Sequence, residues 1–200
     1  MNVNPPRLAM IIGSTRPTRF ADKPATWLAS VAAERDDLSL ETLDLRDFEL
    51  PYFAEISSNL HVPSQDAAVL EWQDALRPFD GYVFVTPEYN HSIPGVLKNA
   101  LDQAYVEWMR KPFSALSYGG NGGVRAVEHL RAIGIELHMA PVRNAVAIGG
   151  GEIQKVHPFG GNLDMSAIDE ILRPSANAMF DDLVWWSLAL NAARDVVAAA

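Results

Sequence analysis

Cysteine is absent from the 200 residues of the sequence. Its absence excludes disulfide bonds, thiolate metal sites and cysteine nucleophiles, and it fits a reducing compartment. No stretch approaches the roughly 18 consecutive apolar residues of a membrane-spanning helix, and the first residues do not resemble a signal peptide. We therefore expect a soluble, cytoplasmic protein.

Positive charge is scarce as well. Sixteen Lys and Arg residues stand against 25 Asp and Glu residues, which gives a formal net charge of −9. Such a field repels phosphate backbones and acidic lipid surfaces, so we expect neither nucleic acid nor a membrane as a partner.

Several ligand-binding motifs are also missing. No G-x-x-x-x-G-K-[ST] or G-x-G-x-x-G pattern occurs, which disfavours a P-loop and a Rossmann dinucleotide site. The five histidines are dispersed, without H-E-x-x-H or comparable ligand spacing. The sequence therefore predicts no metal site.

What the sequence does contain is an alternation of short apolar runs with longer periodic segments, in a chain that is 48% hydrophobic. This pattern predicts one α/β domain over residues 1–200, a doubly wound parallel sheet with helices on both faces. The predicted strands are Arg7–Ile12, 38–45, Gly81–Pro87, 112–120 and 144–149. The predicted helices are 21–34, 64–76, 93–109, 123–137 and a final one from Met165 that is interrupted near Pro174. Residues 149–162 are interpreted as a glycine-rich loop without an assigned role.

Ligands of doubly wound sheets bind beyond the carboxyl ends of the strands. The first turn there, "GSTRPTRF", follows Ile12 and combines a tight glycine with the positive end of the next helix. Ser14 offers a hydroxyl group, while Arg16 and Arg19 offer charge-assisted hydrogen bonds. This turn predicts a phosphate site; the alternative is a pair of surface arginines bound to acids such as Asp22.

The second and third turns suggest a flat ligand. "TPEYNHSIPG" is stiffened by prolines and presents Tyr89, although a rigid turn with Tyr89 in the core is the alternative. "SYGGNGGV" has glycines that permit a close approach of backbone to ligand, with a flexible lid as the alternative. A monophosphate attached to a flat ring explains all three turns, and FMN fits this description.

These three segments resemble the signature segments of the NAD(P)H-dependent FMN reductase family of flavodoxin-like proteins, over about residues 8–149. The resemblance implies a five-stranded sheet of order 2-1-3-4-5, an FMN cofactor, and NADPH or NADH as co-substrate. It places the phosphate at Ser14, Arg16 and Arg19, the ring and ribityl chain along Pro87, Glu88, Tyr89 and Asn90, and the pyrimidine edge at Ser117, Tyr118, Gly119 and Gly120.

The reaction implied by the resemblance is hydride transfer from NAD(P)H to flavin N5, followed by reduction of a second acceptor. Free flavin, a quinone, an azo compound and a metal oxyanion all fit as acceptor. We expect backbone N–H groups near Asn90 and Gly119–Gly120 to stabilise charge on the ring, and no catalytic side chain is predicted. A flavodoxin-type FMN electron carrier, without nicotinamide oxidation activity of its own, is the alternative function, followed by a flavin-free interaction domain.

The resemblance also implies a homodimer or homotetramer. The helix over residues 96–109 is the candidate interface, and many family members have an aromatic residue in place of Gln103. Trp185 and Trp186 on the last helix are expected to pack within the monomer, with a dimer face as the alternative.

Overall fold

The fold is described from a computed structural model that covers residues 4–198, with side chains described to Val196. The strands are β1 (Arg7–Ile12), β2 (Ser39–Asp44), β3 (Gly81–Pro87), β4 (Pro112–Tyr118), β5 (Ala140–Pro141) and β6 (Val146–Ile148). The helices are α1 (Asp22–Ala33), α2 (Ala67–Leu76), α3 (Gly95–Asp102), α4 (Val124–Glu136), α5 (Gly150–Val156) and α6 (Asp169–Ala198). Short 3₁₀ turns occupy Leu45–Asp47 and Met165–Ile168.

The sheet is parallel and has the order β2-β1-β3-β4-β5, which confirms the predicted topology. Its last position is split, since β5 and β6 both pair with β4. The predicted strand over 144–149 covers β6, whereas β5 was not predicted. Side chains hold the chain between the two strands: Ser114 Oγ donates to the Asn144 carbonyl at 2.6 Å, and Asp182 accepts from the Asn144 amide at 3.2 Å.

Each face of the sheet carries its own hydrophobic core. Successive residues of a strand point to opposite faces, so Met10 packs with α1 and α6 while the adjacent Ile11 packs with α2 and α3. In β3, Val85 and Phe84 divide between the two faces in the same way. All seven residues of β3 and of β4 are buried, as expected of strands covered on both sides.

Helix α3 is shorter than predicted, ending at Asp102 rather than at residue 109. The amides of Tyr105 and Val106 donate to the side-chain oxygen of Asn59, at 2.9 and 3.3 Å, instead of to helix carbonyls. Trp108 is still buried, and its Nε1 donates to the Leu101 carbonyl at 3.0 Å. A contact distant in sequence thus replaces the last helical turns.

The C-terminal third contains three further differences from the sequence prediction. Residues predicted as a glycine-rich loop form α5, in which Ile153 and Val156 are buried. Helix α6 runs without interruption through Pro174, since buried Leu172 and Ala176 continue one packed stripe on either side of it. Trp185 is 63% exposed, so its expected packing within the monomer is wrong.

Helix α2 begins at Ala67, three residues later than predicted, because the Asp66 carboxylate caps it by accepting from the amides of Ala68 and Val69. Its packed face is formed by Val69, Trp72, Gln73 and Leu76. Leu70, between the packed residues in sequence, is exposed.

Candidate functional site: a cleft at the carboxyl ends of the strands

A cleft of about 750 Å³ lies where β1, β3 and β4 end. The three predicted turns meet there, together with the segment that contains α5. Its lining comprises Ser14, Arg16, Thr18, Arg19, Phe20, Pro87, Glu88, Tyr89, Tyr118, Gly119, Gly120, Ile153, Gln154, His157, Pro158, Phe159 and Gly160. Of the predicted site residues, Asn90 and Ser117 are not part of this lining.

The first turn is held tightly against β3 and α3. The Gly13 amide donates to the Val85 carbonyl at 2.9 Å, and a Cβ atom on Gly13 would lie only 2.7 Å from Leu97 Cδ2. Within residues 4–198, the amides of Ser14 and Arg16 donate to no protein oxygen. Free N–H groups therefore lie at the end of the first strand, a suitable environment for an anion.

Arg16 is the available cation of this turn. Its side chain is exposed, and its contact within the described part of the chain is a long hydrogen bond of 3.5 Å from Nη1 to Tyr89 Oη. This bond raises the pKa of Arg16 above its ordinary value. A bound anion could replace the weak contact with Tyr89 by a charge-assisted one.

Arg19, in contrast, is fully engaged with the protein, and its side chain is only 3% exposed. Nη1 donates to the Ser14 carbonyl at 2.8 Å and to Asp44 Oδ1 at 2.6 Å, while Nε donates to Asp22 Oδ1 at 2.8 Å. Nη2 contacts both carboxylates as well. All five N–H donors of the guanidinium thus have protein acceptors, so Arg19 holds the first turn in shape and is not free to meet a phosphate.

The carboxylate of Asp44 is adapted to this arrangement. Burial alone would raise its pKa, but the hydrogen bonds from Arg19 and from the Arg46 amide outweigh burial and lower the pKa of Asp44. The hydrogen bond to Asp44 is in turn the main reason that the pKa of Arg19 is raised. Asp44 ends β2, and the sequence analysis assigned it no role.

The second turn contains an unusual backbone. Asn90 and His91 adopt positive φ angles of 50° and 75°, and reciprocal hydrogen bonds of 2.9 and 3.1 Å join the backbones of Tyr89 and Ser92. Tyr89 is half-buried and lines the cleft. The alternative interpretation, which placed Tyr89 in the core, is therefore wrong. The amide of Asn90 donates to no protein oxygen among the described residues.

Glu88 is the buried acid of the cleft, with a side chain that is 6% exposed. Its Oε1 pairs with Arg125, whereas Oε2 is buried and has no hydrogen-bond partner within the described chain. Burial would raise the pKa of Glu88, but the ion pair with Arg125 lowers it, so the carboxylate is ionised at neutral pH. Arg125, at the start of α4, was missed in the sequence because it lies outside the three turns.

The third turn uses its glycines in two ways. Gly123 has a φ of 74°, and a Cβ atom there would lie 2.8 Å from Ser117 Cβ. Ser117 is fully buried, and its hydroxyl donates to the Gly122 carbonyl at 2.6 Å. This hydrogen bond stabilises the conformation of the third turn. Gly119 and Gly120 line the cleft, which corrects the interpretation that all four glycines serve the approach of a ligand.

The amides of this turn differ from the sequence expectation in one respect. The Gly119 N–H donates to the Ile148 carbonyl at 3.2 Å and is therefore occupied. The Gly120 N–H donates to no oxygen within residues 4–198. Of the amides expected to stabilise charge on a ring, those of Asn90 and Gly120 are the ones available.

The segment that contains α5 and His157 forms a further side of the cleft, and the sequence did not indicate it. The ring of His157 packs against Phe20 and Phe159, at centroid distances of 5.0 and 5.2 Å, and its Nδ1 accepts from the Phe159 amide at 3.1 Å. Burial, followed by the charges of Arg16 and Lys23, lowers the pKa of His157. No motif marks this segment, because its position at the cleft depends on how α5 packs.

Among the described residues, no group of three or more His, Asp or Glu side chains is placed to hold a metal ion. No helix in that range has the length and apolar character needed to span a membrane.

Residues 6–152 match the family described as NADPH-dependent FMN reductase. The chain belongs to this family. The predicted family, its oxidoreductase activity with FMN and NAD(P)H, and the flavodoxin-like fold are thereby confirmed.

Characterised relatives agree with this membership. The chain is 35% identical over 154 residues to the NAD(P)H-dependent FMN reductase ntnL of Nectria sp., which covers 72% of this chain and 77% of the relative. It is 33% identical over 178 residues to a quinone reductase of Escherichia coli, covering 82% and 89%. Among solved structures, the flavoenzyme NAD(P)H:(acceptor) oxidoreductase FerB of Paracoccus denitrificans has the same fold, with a TM-score of 0.67, 23% identity and coverage of 89% and 97%.

Proposed function

We propose that the cleft is the FMN site of a single flavodoxin-like domain, with the phosphate at the first turn and the ring across the second and third. The observation that carries this proposal is the convergence of Ser14, Arg16, Tyr89 and Gly120 on one cavity. The residues present fit the group, since free amides and an exposed arginine suit the phosphate. The second and third turns line the same cavity with Tyr89, Tyr118, Gly119 and Gly120, which suits a flat ring.

The predicted site residues divide into two groups under this proposal. Ser14 and Arg16 bind the phosphate directly, and Pro87, Glu88, Tyr89, Tyr118, Gly119 and Gly120 surround the ring. Arg19 and Ser117 act through the protein by fixing the first and third turns. Asn90 lies outside the cleft lining, and we assign it a contact through its backbone amide, which donates to no oxygen of the described chain.

FMN, when bound, supplies hydride acceptance from NAD(P)H and delivery to a second acceptor. The chain positions the ring and stabilises negative charge through the amides of Asn90 and Gly120 and through the positive field of Arg16. His157, Pro158 and Phe159 form the remaining side of the cleft. No side chain is required to donate or remove a proton.

For the acceptor we propose a quinone or free flavin. Relatives named 2-hydroxy-1,4-benzoquinone reductase, from Burkholderia sp., and quinone reductase, from Pseudomonas putida, support the first choice. The relatives named FMN reductase support the second. We further propose a cytoplasmic location, consistent with a chain that lacks cysteine.

We also propose a homo-oligomer, formed first as a dimer through the segment after β2 together with α3. Tyr52 and Val96 are exposed and line one cavity, and Ile56 of the same segment as Tyr52 is 92% exposed. Large apolar side chains grouped at one surface are typical of a subunit interface. Ile56→Lys is expected to lower the mass measured by analytical ultracentrifugation; an unchanged mass, or a monomeric wild type, would contradict this interface.

One experiment tests the catalytic proposal and separates it from the electron-carrier alternative. The purified protein, reconstituted with FMN, is mixed with NADPH or NADH, and oxidation is followed at the nicotinamide absorbance with and without a benzoquinone. We expect turnover that increases when the quinone is added. An FMN-loaded protein that leaves both nicotinamides unoxidised would be a carrier, and a protein that does not quench FMN fluorescence would have no flavin site.

A further inference from the structure

One lysine of helix α1 is bound to the segment that forms the remaining side of the cleft. The Lys23 ammonium is surrounded by four oxygen atoms of that segment: the carbonyls of Val156, Asn162 and Leu163 at 3.1, 3.2 and 3.1 Å, and Asn162 Oδ1 at 2.7 Å. An ammonium has three N–H donors, so this segment uses the full donor capacity of Lys23.

The ammonium also completes the end of helix α5. The last carbonyls of a helix need donors from outside it, and the Gly161 amide supplies one by donating to the Gln154 carbonyl at 2.8 Å. The Val156 carbonyl receives the Lys23 ammonium. A cation is favourable at this end, because the carbonyls of a helix C-terminus carry partial negative charge. Lys23 therefore joins the C-terminal end of α5 to α1.

The segment held by Lys23 carries aromatic rings into the cleft. Phe20, His157 and Phe159 line it in a row, with centroid distances of 5.0 and 5.2 Å, and Tyr118 extends the row at 5.2 Å from Phe20. Phe159 is 92% exposed, so the row ends at the rim of the cleft. Aromatic faces suit a flat, apolar ligand. Under the proposed function, on which this inference rests, FMN occupies the three turns, and this side is left for the second substrate.

We infer that Lys23 is a positioning residue for the quinone, because it fixes the segment that presents His157 and Phe159 to this acceptor. Lys23 itself lies outside the cleft lining. Hydrogen bonds from a charged donor are roughly twice as strong as neutral ones, so a single side chain is enough to hold the segment in place. Without the ammonium, water can reach the exposed carbonyls of Asn162 and Leu163, and the segment loosens while the rest of the fold persists.

The test is Lys23→Met, which keeps a long side chain and removes its charge. Steady-state kinetics of the FMN-loaded protein are measured with a benzoquinone at a saturating concentration of the nicotinamide. We expect KM for the quinone to rise about threefold to tenfold, while kcat and the FMN affinity from fluorescence quenching stay within about twofold of the wild type. Partial unfolding would instead lower kcat through the active fraction and leave KM unchanged, so the two effects are separable.

A second measurement needs neither flavin nor turnover. Hydrogen–deuterium exchange of the amides in residues 157–163 is expected to be about tenfold faster in Lys23→Met than in the wild type, because the segment opens more often. Exchange in β1 and β3 should be unchanged. Lys155→Met is the matched control: it removes the same charge from an exposed position of α5, and it should keep the wild-type KM and the wild-type exchange.

Circular dichroism checks that Lys23→Met folds. If it does not, Asn162→Gly decides, since it removes the Oδ1 acceptor while glycine readily adopts the φ of 50° found at this position. We expect Asn162→Gly to raise KM for the quinone about twofold to threefold, because one contact of the ammonium is lost and the others remain.

The outcomes separate this inference from the proposed function. An unchanged KM for the quinone in Lys23→Met, or in Asn162→Gly where that variant decides, overturns the positioning role and leaves the FMN site standing. Unchanged exchange in residues 157–163, an equal rise of KM in Lys155→Met, or a loss of FMN affinity as large as the rise in KM overturns it as well. A wild type that binds no FMN, or that binds FMN without turnover, overturns the proposed function, and the inference with it.

Discussion

At the scale of single residues, the two arginines of the first turn have different roles despite their similar sequence context. Arg16 is exposed and nearly free, whereas Arg19 is enclosed by Asp22, Asp44 and the Ser14 carbonyl. The sequence places both arginines near a phosphate, but it does not show which of them is paired with carboxylates in the folded protein. That choice depends on Asp44, which reaches the turn from the end of the neighbouring strand β2.

Arg16→Ala is therefore expected to weaken FMN about tenfold or more while leaving riboflavin nearly unchanged, since riboflavin lacks the phosphate. Fluorescence titration of both ligands measures the ratio. Equal weakening of the two flavins would show that Arg16 contacts something other than the phosphate.

Arg19→Ala acts differently, because it removes the guanidinium that neutralises the carboxylates of Asp22 and Asp44 beside the anion site. We expect a loss of FMN affinity of about 1.5–3 kcal/mol and a lower unfolding free energy. The double variant Arg19→Ala/Asp44→Ala should recover about 1 kcal/mol or more of the FMN affinity, because the repelling charge is removed with its partner. If the losses of FMN affinity caused by Arg19→Ala and by Asp44→Ala simply add in the double variant, Arg19 contacts the phosphate itself.

At the scale of elements, the sequence predicted the buried strands and helices α1 and α4 to within one or two residues, whereas α5 beside the cleft was missed. The strands β1 and β3 are nearly continuous apolar runs bounded by Gly13 and Gly81, and the helices α1 and α4 have a helical apolar period, so local signals determine these four elements. The errors occur where a distant contact decides. Asn59 ends α3 by binding two amides that would otherwise continue the helix, and packed Leu172 and Ala176 carry α6 across Pro174.

The third turn gives a prediction at this scale, because its glycines have different environments. Gly123→Ala places a Cβ atom 2.8 Å from Ser117 Cβ on a backbone with φ of 74°. We expect a loss of about 2–4 kcal/mol in the unfolding free energy from urea denaturation. Gly120→Ala is the matched control, since nothing lies within 4 Å of its Cβ position, and it should change stability by less than about 0.5 kcal/mol. Similar stabilities for the two variants would contradict the packing described for this turn.

At the scale of the whole molecule, the two ends of the sheet serve different purposes. The carboxyl end forms the cleft, while the opposite end buries a polar cluster around Lys111, whose Nζ donates to Tyr82 Oη at 3.1 Å and to the Arg77 carbonyl at 3.3 Å. Burial, and then the charge of Arg194, lowers the pKa of Lys111 to about 8. This cluster could not be predicted from local sequence signals, because Lys111 and Tyr82 are 29 residues apart.

Lys111 should make stability depend on pH. Between pH 8 and about 10.4 the unfolded chain binds a proton at this lysine that the folded chain has released, so stability rises with pH in that window. Relative to Lys111→Met, the wild type is expected to gain about 2 kcal/mol of unfolding free energy from pH 8 to pH 10. Urea unfolding at four pH values measures this difference, and parallel pH profiles for the two proteins would rule out the buried, neutral lysine.

The central claim is that one cleft, built from three turns at the carboxyl ends of β1, β3 and β4, holds FMN by its phosphate and its ring. The most direct measurement is a crystal structure of the FMN complex. The account predicts phosphate density within hydrogen-bonding distance of the Ser14 amide and the Arg16 guanidinium, with the ring between Tyr89 and Gly119–Gly120. Density for FMN elsewhere on the protein, with Arg16 still turned to solvent, would contradict it.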